Sequence, residues 1–181
     1  MINERVAFFI DGTNLSRGLK EVYGIDYLDI ASYTKYLAQA RKVVGIYYAE
    51  APYIQYAGSH DQKVVQQQKY LEYIRTVPGL TYRKGYYSKK TSPPTEKKTD
   101  VFLAVDMVDA CLRGKFDVAF VLSGDADLAP AIDVLVREKR KVIVAYLDTE
   151  ERHARSLLGH VGGYRFFINI TRSIAVQFRW P

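Results

Sequence analysis

The chain has 181 residues, of which 48% are hydrophobic and 25% are charged, and its formal net charge is +6. This composition is typical of a globular protein, and a chain of this length buries most of the surface that it exposes when unfolded. No apolar run approaches the roughly 18 residues needed to cross a bilayer, and the amino terminus lacks the cleavage site of a signal peptide. We therefore expect one domain over 1–181 that lies in the cytoplasm and contacts no membrane.

Short apolar runs alternate with stretches of helical spacing along the whole chain. Runs rich in β-branched and aromatic residues predict strands at 6–10, 43–48, 80–86, 118–122, 142–147 and 166–170. Apolar residues three and four positions apart predict helices at 14–23, 30–40, 61–76, 100–112, 127–139 and 151–158. This alternation predicts an α/β fold in three layers, with a mainly parallel sheet and helices on both faces.

The first predicted strand runs directly into Asp11, Gly12, Thr13 and Asn14. Asp11 and Asn14 are then placed at the carboxyl end of a strand, where sheets of this kind bind their ligands. We expect Gly12 to permit the turn between strand and helix. The alternative interpretation of Asp11 is a helix cap, because aspartate commonly accepts a hydrogen bond from a free amide at a helix start.

Positive charge is concentrated between positions 82 and 98, where six basic residues and one acidic residue, Glu96, give a net charge of +5. The basic residues are Arg83, Lys84, Lys89, Lys90, Lys97 and Lys98. Such a patch suits a polyanion, because each neutralised phosphate releases condensed counterions. Two prolines and few apolar residues predict that 88–98 is an exposed, mobile loop. Three tyrosines of this region either stack on unpaired bases or pack in the sheet; they are Tyr82, Tyr86 and Tyr87.

Asp100 begins the predicted helix that follows this segment, directly after Thr99. At helical spacing it shares a face with the apolar residues Leu103 and Met107, so its carboxylate is expected to point inward. An inward carboxylate is costly unless a donor or a metal compensates it. The alternative interpretation is a favourable contact with the helix dipole.

Other acidic and thiol groups of this helix are expected to be structural. Asp106 and Asp109 fall on the opposite side, where we expect both to be solvated and Asp109 to pair with Arg113. The single cysteine, Cys111, excludes an internal disulfide and a cysteine-based zinc site, and its apolar neighbours predict a buried thiol. The three histidines show no ligand spacing and are expected on the surface or in loops; they are His60, His153 and His160.

The fourth predicted strand ends in Ser123, Gly124, Asp125, Ala126 and Asp127. Two more carboxylates are thereby placed at a strand end. Asp127 could cap the next helix by accepting from a backbone amide two residues on, whereas Asp125 is harder to explain as a structural residue. If the three pieces of sequence meet at one sheet edge, their oxygens make a site suited to Mg²⁺ or Mn²⁺ rather than to zinc.

The motifs IDGTN, KTDV and SGDADLAP, in this order, resemble those of NYN domains, in particular the LabA-like branch of the PIN-like nucleases. The resemblance covers about residues 6–147, and 151–181 is expected to add a helix and a strand to the same domain. It implies a metal-binding cluster of aspartates at the carboxyl edge of a parallel sheet, and cleavage of RNA. The residues matched to that cluster are Asp11, Asp100, Asp125 and Asp127, with Asn14 in support.

The resulting hypothesis is a ribonuclease in which bound Mg²⁺ or Mn²⁺ activates a water that attacks an RNA phosphodiester. Asn14 would orient a water or a phosphate oxygen, and Thr99 and Ser123 would orient the carboxylates. The basic residues of 82–98 would hold the backbone of RNA, expected to be single-stranded. A binding module that keeps the fold without cutting, acting through partner proteins or self-association, is the first alternative. A phosphatase of the haloacid dehalogenase type is the second, but it requires an aspartate at the position of Thr13.

Overall fold

The computed structural model describes residues 4–54, 61–88, 90, 94–147 and 165–181. Its strands are β1 (Arg5–Asp11), β2 (Lys42–Glu50), β3 (Leu80–Lys84), β4 (Tyr86–Ser88), β5 (Thr95–Lys97), β6 (Val118–Leu122), β7 (Lys141–Leu147) and β8 (Arg165–Ile170). Its helices are α1 (Gly12–Tyr23), α2 (Ile30–Ala38), α3 (Gln62–Thr76), α4 (Thr99–Leu112), α5 (Ala129–Arg137) and α6 (Arg172–Gln177), with a 3₁₀ turn at Ala126–Leu128 before α5.

A six-stranded sheet in the order β3-β2-β1-β6-β7-β8 forms the centre of the fold, and every neighbouring pair in it is parallel. From β1 the chain adds β2 and β3 toward one edge of the sheet, and from β6 it adds β7 and β8 toward the other edge. The strand order therefore reverses between β1 and β6. The crevice at the carboxyl ends of two such strands is where open α/β sheets bind their ligands.

Alternating residues of the central strands pack into two separate cores. In β1, Phe8 and Ile10 face the core made with α1, α2 and α3, whereas Ala7 and Phe9 face the core made with α4 and α5. This alternation follows from the two-residue period of a strand. Helices thus cover both faces of the sheet, so the predicted three-layer α/β architecture is confirmed.

The predicted strands and helices largely coincide with the described ones, and Cys111 is buried as expected. The predicted helix at 151–158 and the three histidines lie outside the described residues. In the described part of the chain, no helix is both long and apolar enough to span a bilayer. The short helix α6, which Thr171 caps, is absent from the prediction. After it, the ring of Trp180 packs against that of Tyr70, with 5.2 Å between the ring centroids.

The segment predicted as one strand followed by a mobile loop folds differently. β3 ends at Lys84, and β4 pairs with β5 as a separate antiparallel hairpin. The prediction of a mobile loop is therefore wrong for the residues of β5. Gly85, between β3 and β4, permits the close approach of the chain to β5 and to the start of α4, because a Cβ there would lie 2.6 Å from the Thr99 side chain and 2.9 Å from the Lys97 carbonyl oxygen.

Candidate active site

Asp11 ends β1 and is held by hydrogen bonds to both of its carboxylate oxygens. Oδ1 accepts from the Asn14 amide at 2.9 Å, which makes Asp11 the N-cap of α1, and Oδ2 accepts from the Ser123 hydroxyl at 3.2 Å. The residue is only 4% exposed. Burial raises the pKa of Asp11 to about 7, and the charges of Asp100 and Glu96 add to that rise. Asp11 is therefore both a helix cap and a member of an acidic site.

Asp100 lies in the first turn of α4 and is half-buried. Its pKa is raised to about 6, first by burial and then by the negative charges of Asp125, Glu96 and Asp127. The inward orientation expected from helical spacing thus brings Asp100 toward other carboxylates. Helix-dipole stabilisation favours the ionised form of a residue at this position, and burial together with these like charges outweighs it.

The loop after β6 brings Asp125 close to Asp11, and Ser123 links the two residues. The Ser123 hydroxyl donates to Asp11 and accepts from the Asp125 amide at 3.1 Å, so one buried hydroxyl links the two segments. Asp125 Oδ1 accepts from the Asp127 amide at 2.9 Å and so caps the 3₁₀ turn. The alternative in which Asp127 caps the helix is wrong, because the N-cap of α5 is Leu128, without a side-chain hydrogen bond, and Asp125 caps the 3₁₀ turn.

Asp11, Asp100 and Asp125 each offer a carboxylate oxygen, and these three oxygens lie within 4.8 Å of one another. Asp127 is exposed and is not part of this trio, although its charge acts on Asp100. Three hard oxygen donors suit Mg²⁺ or Mn²⁺. Because like charges at this separation repel one another, a divalent cation would also relieve the electrostatic strain.

Asn14 fixes the loop after β6. Its side-chain oxygen accepts from the Gly124 amide at 2.9 Å, which ties the start of α1 to the residue before Asp125. That Asn14 also orients a water or a phosphate oxygen stays a prediction. Thr99, the other predicted orienting residue, is buried beside Asp100 at the start of α4.

Glu96 is a site neighbour that sequence reasoning missed. The hairpin places it against α1, where its carboxylate accepts from the Thr13 hydroxyl at 2.8 Å. Its negative charge raises the pKa of Asp11 and of Asp100. A lone acid within the lysine-rich stretch 95–98 carries no spacing signal, so nothing in the sequence distinguishes it from a solvated residue.

Gly12 is required by close packing rather than by a left-handed turn. A Cβ at this position would lie 2.3 Å from the Tyr48 hydroxyl and 2.6 Å from a carboxylate oxygen of Glu50, and its φ is not positive. Glu50 is 1% exposed and is hydrogen-bonded by Tyr48 and by Gln67. Burial raises the pKa of Glu50 to about 7. This second buried acid lies next to the start of α1 and was not anticipated from the sequence.

Asp106 is buried and ion-paired, so the prediction that it is solvated is wrong. Its two carboxylate oxygens accept from the Arg83 guanidinium at 2.8 and 2.7 Å, and the residue is 7% exposed. α4 packs against β3 on this side, which brings the Arg83 guanidinium to the acid. Asp109 does form the expected pair with Arg113, at 2.7 Å and exposed.

The remaining basic residues expected to bind nucleic acid are exposed where the structure describes them; they are Lys84, Lys90, Lys97 and Lys98. Lys89 lies outside the described residues. Because cross-strand partners share a face of a hairpin, Tyr87 and Glu96 lie on one face and Tyr86 and Lys97 on the other. The Lys98 ammonium lies 5.5 Å from the Tyr86 ring centroid.

Comparison with known proteins agrees with this geometry. The chain is similar in fold to the crystal structure of a protein of unknown function from Vibrio parahaemolyticus, with a TM-score of 0.67, 19% identity and 93% of each chain covered. A search of curated protein sequences found no significant match. The NYN domain family matches residues 5–163. With a parallel sheet of the PIN-like kind and an acidic trio at its switch point, this chain belongs to the NYN domain family.

Proposed function

We propose that this protein is a metal-dependent ribonuclease of the LabA-like branch of the NYN domains. The observation that carries the proposal is the convergence of Asp11, Asp100 and Asp125, with carboxylate oxygens within 4.8 Å of one another, at the reversal point of the sheet. Binding crevices of α/β sheets occur at such points. Membership of the NYN family adds the expectation that the substrate is a nucleic acid.

The trio would hold Mg²⁺ or Mn²⁺ directly, with Asp127 close enough to contribute charge. Such a cation supplies an activated water and neutralises charge on the attacked phosphodiester. The protein's own groups supply orientation. Ser123 fixes the Asp11 carboxylate, and Asn14 fixes the loop that carries Asp125. Both contacts hold these donors in place before any ion binds.

The RNA backbone would be held by the exposed lysines of the 82–98 segment. Lys84, Lys97 and Lys98 are available for phosphate contacts, whereas the Arg83 guanidinium is already paired with Asp106. Phosphate contacts position the chain without selecting its sequence. We propose single-stranded RNA in the cytoplasm as the substrate.

A non-cutting nucleic-acid-binding module is the alternative function. A phosphatase is disfavoured, because Thr13 occupies the position of the second aspartate, and its hydroxyl donates a hydrogen bond to Glu96.

The discriminating experiment incubates the purified chain with single-stranded RNA, single-stranded DNA and a phosphomonoester, each with Mg²⁺, Mn²⁺ or EDTA. We expect RNA cleavage with either cation and none in EDTA. Hydrolysis of the phosphomonoester alone, or RNA binding without cleavage in Mg²⁺ and Mn²⁺, would contradict the proposal.

A further inference from the structure

A pocket of about 210 Å³ opens between α1, α3 and the β4–β5 hairpin. Its lining includes three tyrosines and three basic residues; they are Tyr27, Tyr53, Tyr87, Arg17, Lys20 and Lys63. Sites for drug-sized ligands typically measure roughly 300–1,000 Å³, so this one fits a single ring system better than a whole cofactor. Its residue types are those that bind unpaired nucleotides, since aromatic rings stack on bases and cations contact phosphates.

Thr13 connects the pocket to the trio. It lines the pocket, it lies two residues after Asp11, and its hydroxyl donates to Glu96. Tyr87, directly opposite Glu96 in the hairpin, lies on the same face and lines the pocket as well. The pocket and the acidic trio are therefore neighbouring parts of one surface.

The wall formed by Tyr53 is fixed from within the protein. The Tyr53 amide donates to the side-chain oxygen of Gln67 at 2.6 Å, and the Gln67 amide group donates to Glu50 at 2.6 Å. Gln67 and Glu50 are 2% and 1% exposed, so this connection is shielded from water. The Tyr53 ring lies 6.3 Å from the Tyr87 ring, with 28° between their planes. The hydrogen bond anchors the backbone of Tyr53 and the contact with Tyr87 restricts its ring, so that less entropy is lost when a base stacks on the ring.

Three basic residues line the pocket together with two acidic ones, Glu21 and Asp26, so its net charge is +1. Lys20 forms an ion pair with Asp26 at 2.8 Å. Arg17 and Lys63 are exposed at the rim, and among the described residues neither forms an ion pair. Two cations beside two tyrosine rings suit the phosphate and the base of one nucleotide.

The pocket continues past the tyrosines. A second cavity of about 350 Å³ shares Tyr53, Lys63 and Tyr87 with the first and extends to Pro94. Together the two form a groove that leads away from Thr13 along the hairpin. Its direction would let a single strand leave the acidic trio with its bases toward the tyrosines.

We propose that this groove binds a nucleobase of single-stranded RNA adjacent to the phosphate at the acidic trio, by stacking on Tyr87 and Tyr53, with Arg17 and Lys63 on its phosphates. The proposal rests on the proposed function for the nature of the strand. It assigns base contacts to the groove and leaves the lysines on the other face of the hairpin with backbone contacts only.

The test measures the binding of a short fluorescent oligouridylate by fluorescence anisotropy in a buffer that contains Ca²⁺. It compares the parent with Tyr87→Leu and Tyr87→Phe. We expect Tyr87→Leu to bind about tenfold more weakly and Tyr87→Phe to bind like the parent, because stacking needs the ring and not the hydroxyl. Tyr86→Leu is the matched comparison, since Tyr86 precedes Tyr87 in β4 and points to the opposite face, where its ring lies beside the Lys98 ammonium. We expect it to weaken binding less than Tyr87→Leu does. Arg17→Gln should flatten the salt dependence of binding.

An abasic residue placed at successive positions of the oligouridylate identifies the stacked base. At one position it should weaken binding to the parent about tenfold and leave binding to Tyr87→Leu unchanged, because the same contact cannot be lost twice. Additive losses, or equal effects of Tyr86→Leu and Tyr87→Leu, would overturn the proposal. If thermal melting shows that Tyr87→Leu does not fold, Tyr53→Leu takes its place in the same comparison.

The two proposals fail in different ways. If the parent cleaves RNA in Mn²⁺ and binding is insensitive to the tyrosines and to abasic positions, the groove proposal fails and the ribonuclease proposal stands. If binding depends on Tyr87 and on one abasic position but no cleavage occurs in Mn²⁺ or Mg²⁺, the groove proposal stands alone.

Discussion

The carboxylate of Asp11 accepts a hydrogen bond through each of its oxygens while burial removes it from water. The two hydrogen bonds favour the ionised form, but burial and the charge of Asp100 outweigh them, so that the pKa rises to about 7. A residue kept in this state weakens the fold in the absence of a cation and is suited to binding one. We infer that stability has been given up at this residue for function.

Asp11→Asn should separate the charge of this residue from its hydrogen bonds. Asparagine is also a good N-cap, and the Ser123 hydroxyl can rotate to accept from its amide. The usual pKa of Asp11 is 3.8 and the folded value is about 7, so the stability that its neutral form provides is complete below about pH 4 and is lost as the pH rises through 7. In EDTA the variant should therefore match the parent near pH 4 and exceed it by on the order of 4 kcal/mol at pH 8.

Thermal melts of both proteins across this pH range provide the measurement. Added Mn²⁺ at pH 8 should raise the melting temperature of the parent and leave that of the variant nearly unchanged. A variant less stable than the parent at pH 8 in EDTA would show that the Asp11 charge serves the helix cap and not a cation site.

Replacing Asp125 and replacing Asp127 should have different effects on stability and on cation binding. Asp125 caps the 3₁₀ turn and belongs to the trio, whereas Asp127 is exposed and outside it. In EDTA, Asp125→Asn should melt at or above the parent, because the cap remains and the repulsion falls, and Asp125→Ala should be about 1 kcal/mol less stable than Asp125→Asn. Both should lose the stabilisation by Mn²⁺, and Asp127→Ala should keep most of it. Calorimetric melts with and without Mn²⁺ measure this stabilisation. If Asp127→Ala loses it and the Asp125 variants keep it, Asp127 is the metal ligand.

At the scale of elements, the chain places its acids by three different devices. A strand end places Asp11, a helix start places Asp100 and the loop after β6 places Asp125, and all three positions could be predicted because strand ends and helix starts leave local signals. β6 has the bounds that its apolar run predicts. Glu96 could not be predicted in the same way, because the hairpin brings it to Thr13 only in the folded chain, across 83 positions of sequence.

The error at Asp106 has a similar cause. Helical spacing distinguishes the side of α4 that faces the sheet centre from the opposite side. It does not show that a basic side chain of β3 lies against α4. That side chain is Arg83, 23 positions before Asp106, and its guanidinium pairs with the Asp106 carboxylate. Likewise the composition of 88–98 describes a polar segment correctly, and only the pairing of β4 with β5 shows that part of it is ordered.

The pair between Arg83 and Asp106 should stabilise the fold without affecting the cation site. Asp106→Asn should lower the free energy of unfolding by about 1–2 kcal/mol, an amount reduced by the exposure of the guanidinium. Asp109→Asn, which breaks an exposed pair on the same helix, should cost about 0.5 kcal/mol. Urea unfolding measures both, and both should keep the melting shift given by Mn²⁺. Loss of that shift in Asp106→Asn would show that this pair also supports Asp100.

At the scale of the whole molecule, the net charge of +6 coexists with a cluster of like negative charges at the sheet edge. Excess positive charge attracts a polyanion, while the cluster repels its phosphates until a cation is bound. Binding of RNA and of a divalent cation should therefore reinforce each other. Different residues meet the two requirements. The lysines lie at the end of β3, in β5 and at the N-cap of α4, and the acids lie at the end of β1, in the first turn of α4 and in the loop after β6.

Replacing Lys97 and Lys98 together with Gln should weaken RNA binding and reduce its dependence on salt. These side chains are exposed, and each phosphate contact that is lost lowers the slope of log affinity against log salt by about 0.7 for a single strand. A filter-binding series over salt concentration gives this slope. The matched control is Lys35→Gln in α2, which lies away from the hairpin and is expected to leave the slope unchanged. Equal slopes for all proteins would show that the hairpin lysines only solvate the surface.

The most direct test of the acidic trio as an active site compares the Mn²⁺-dependent cleavage rate of single-stranded RNA among the parent, Asp11→Asn, Asp100→Asn and Asp109→Asn. Asp109 is the control because it lies on the same helix as Asp100 and forms only an exposed pair with Arg113. The account predicts that Asp11→Asn and Asp100→Asn lose activity by orders of magnitude while remaining folded, and that Asp109→Asn cleaves like the parent. Cleavage by the parent that persists in EDTA, or equal losses in all three variants, would contradict it.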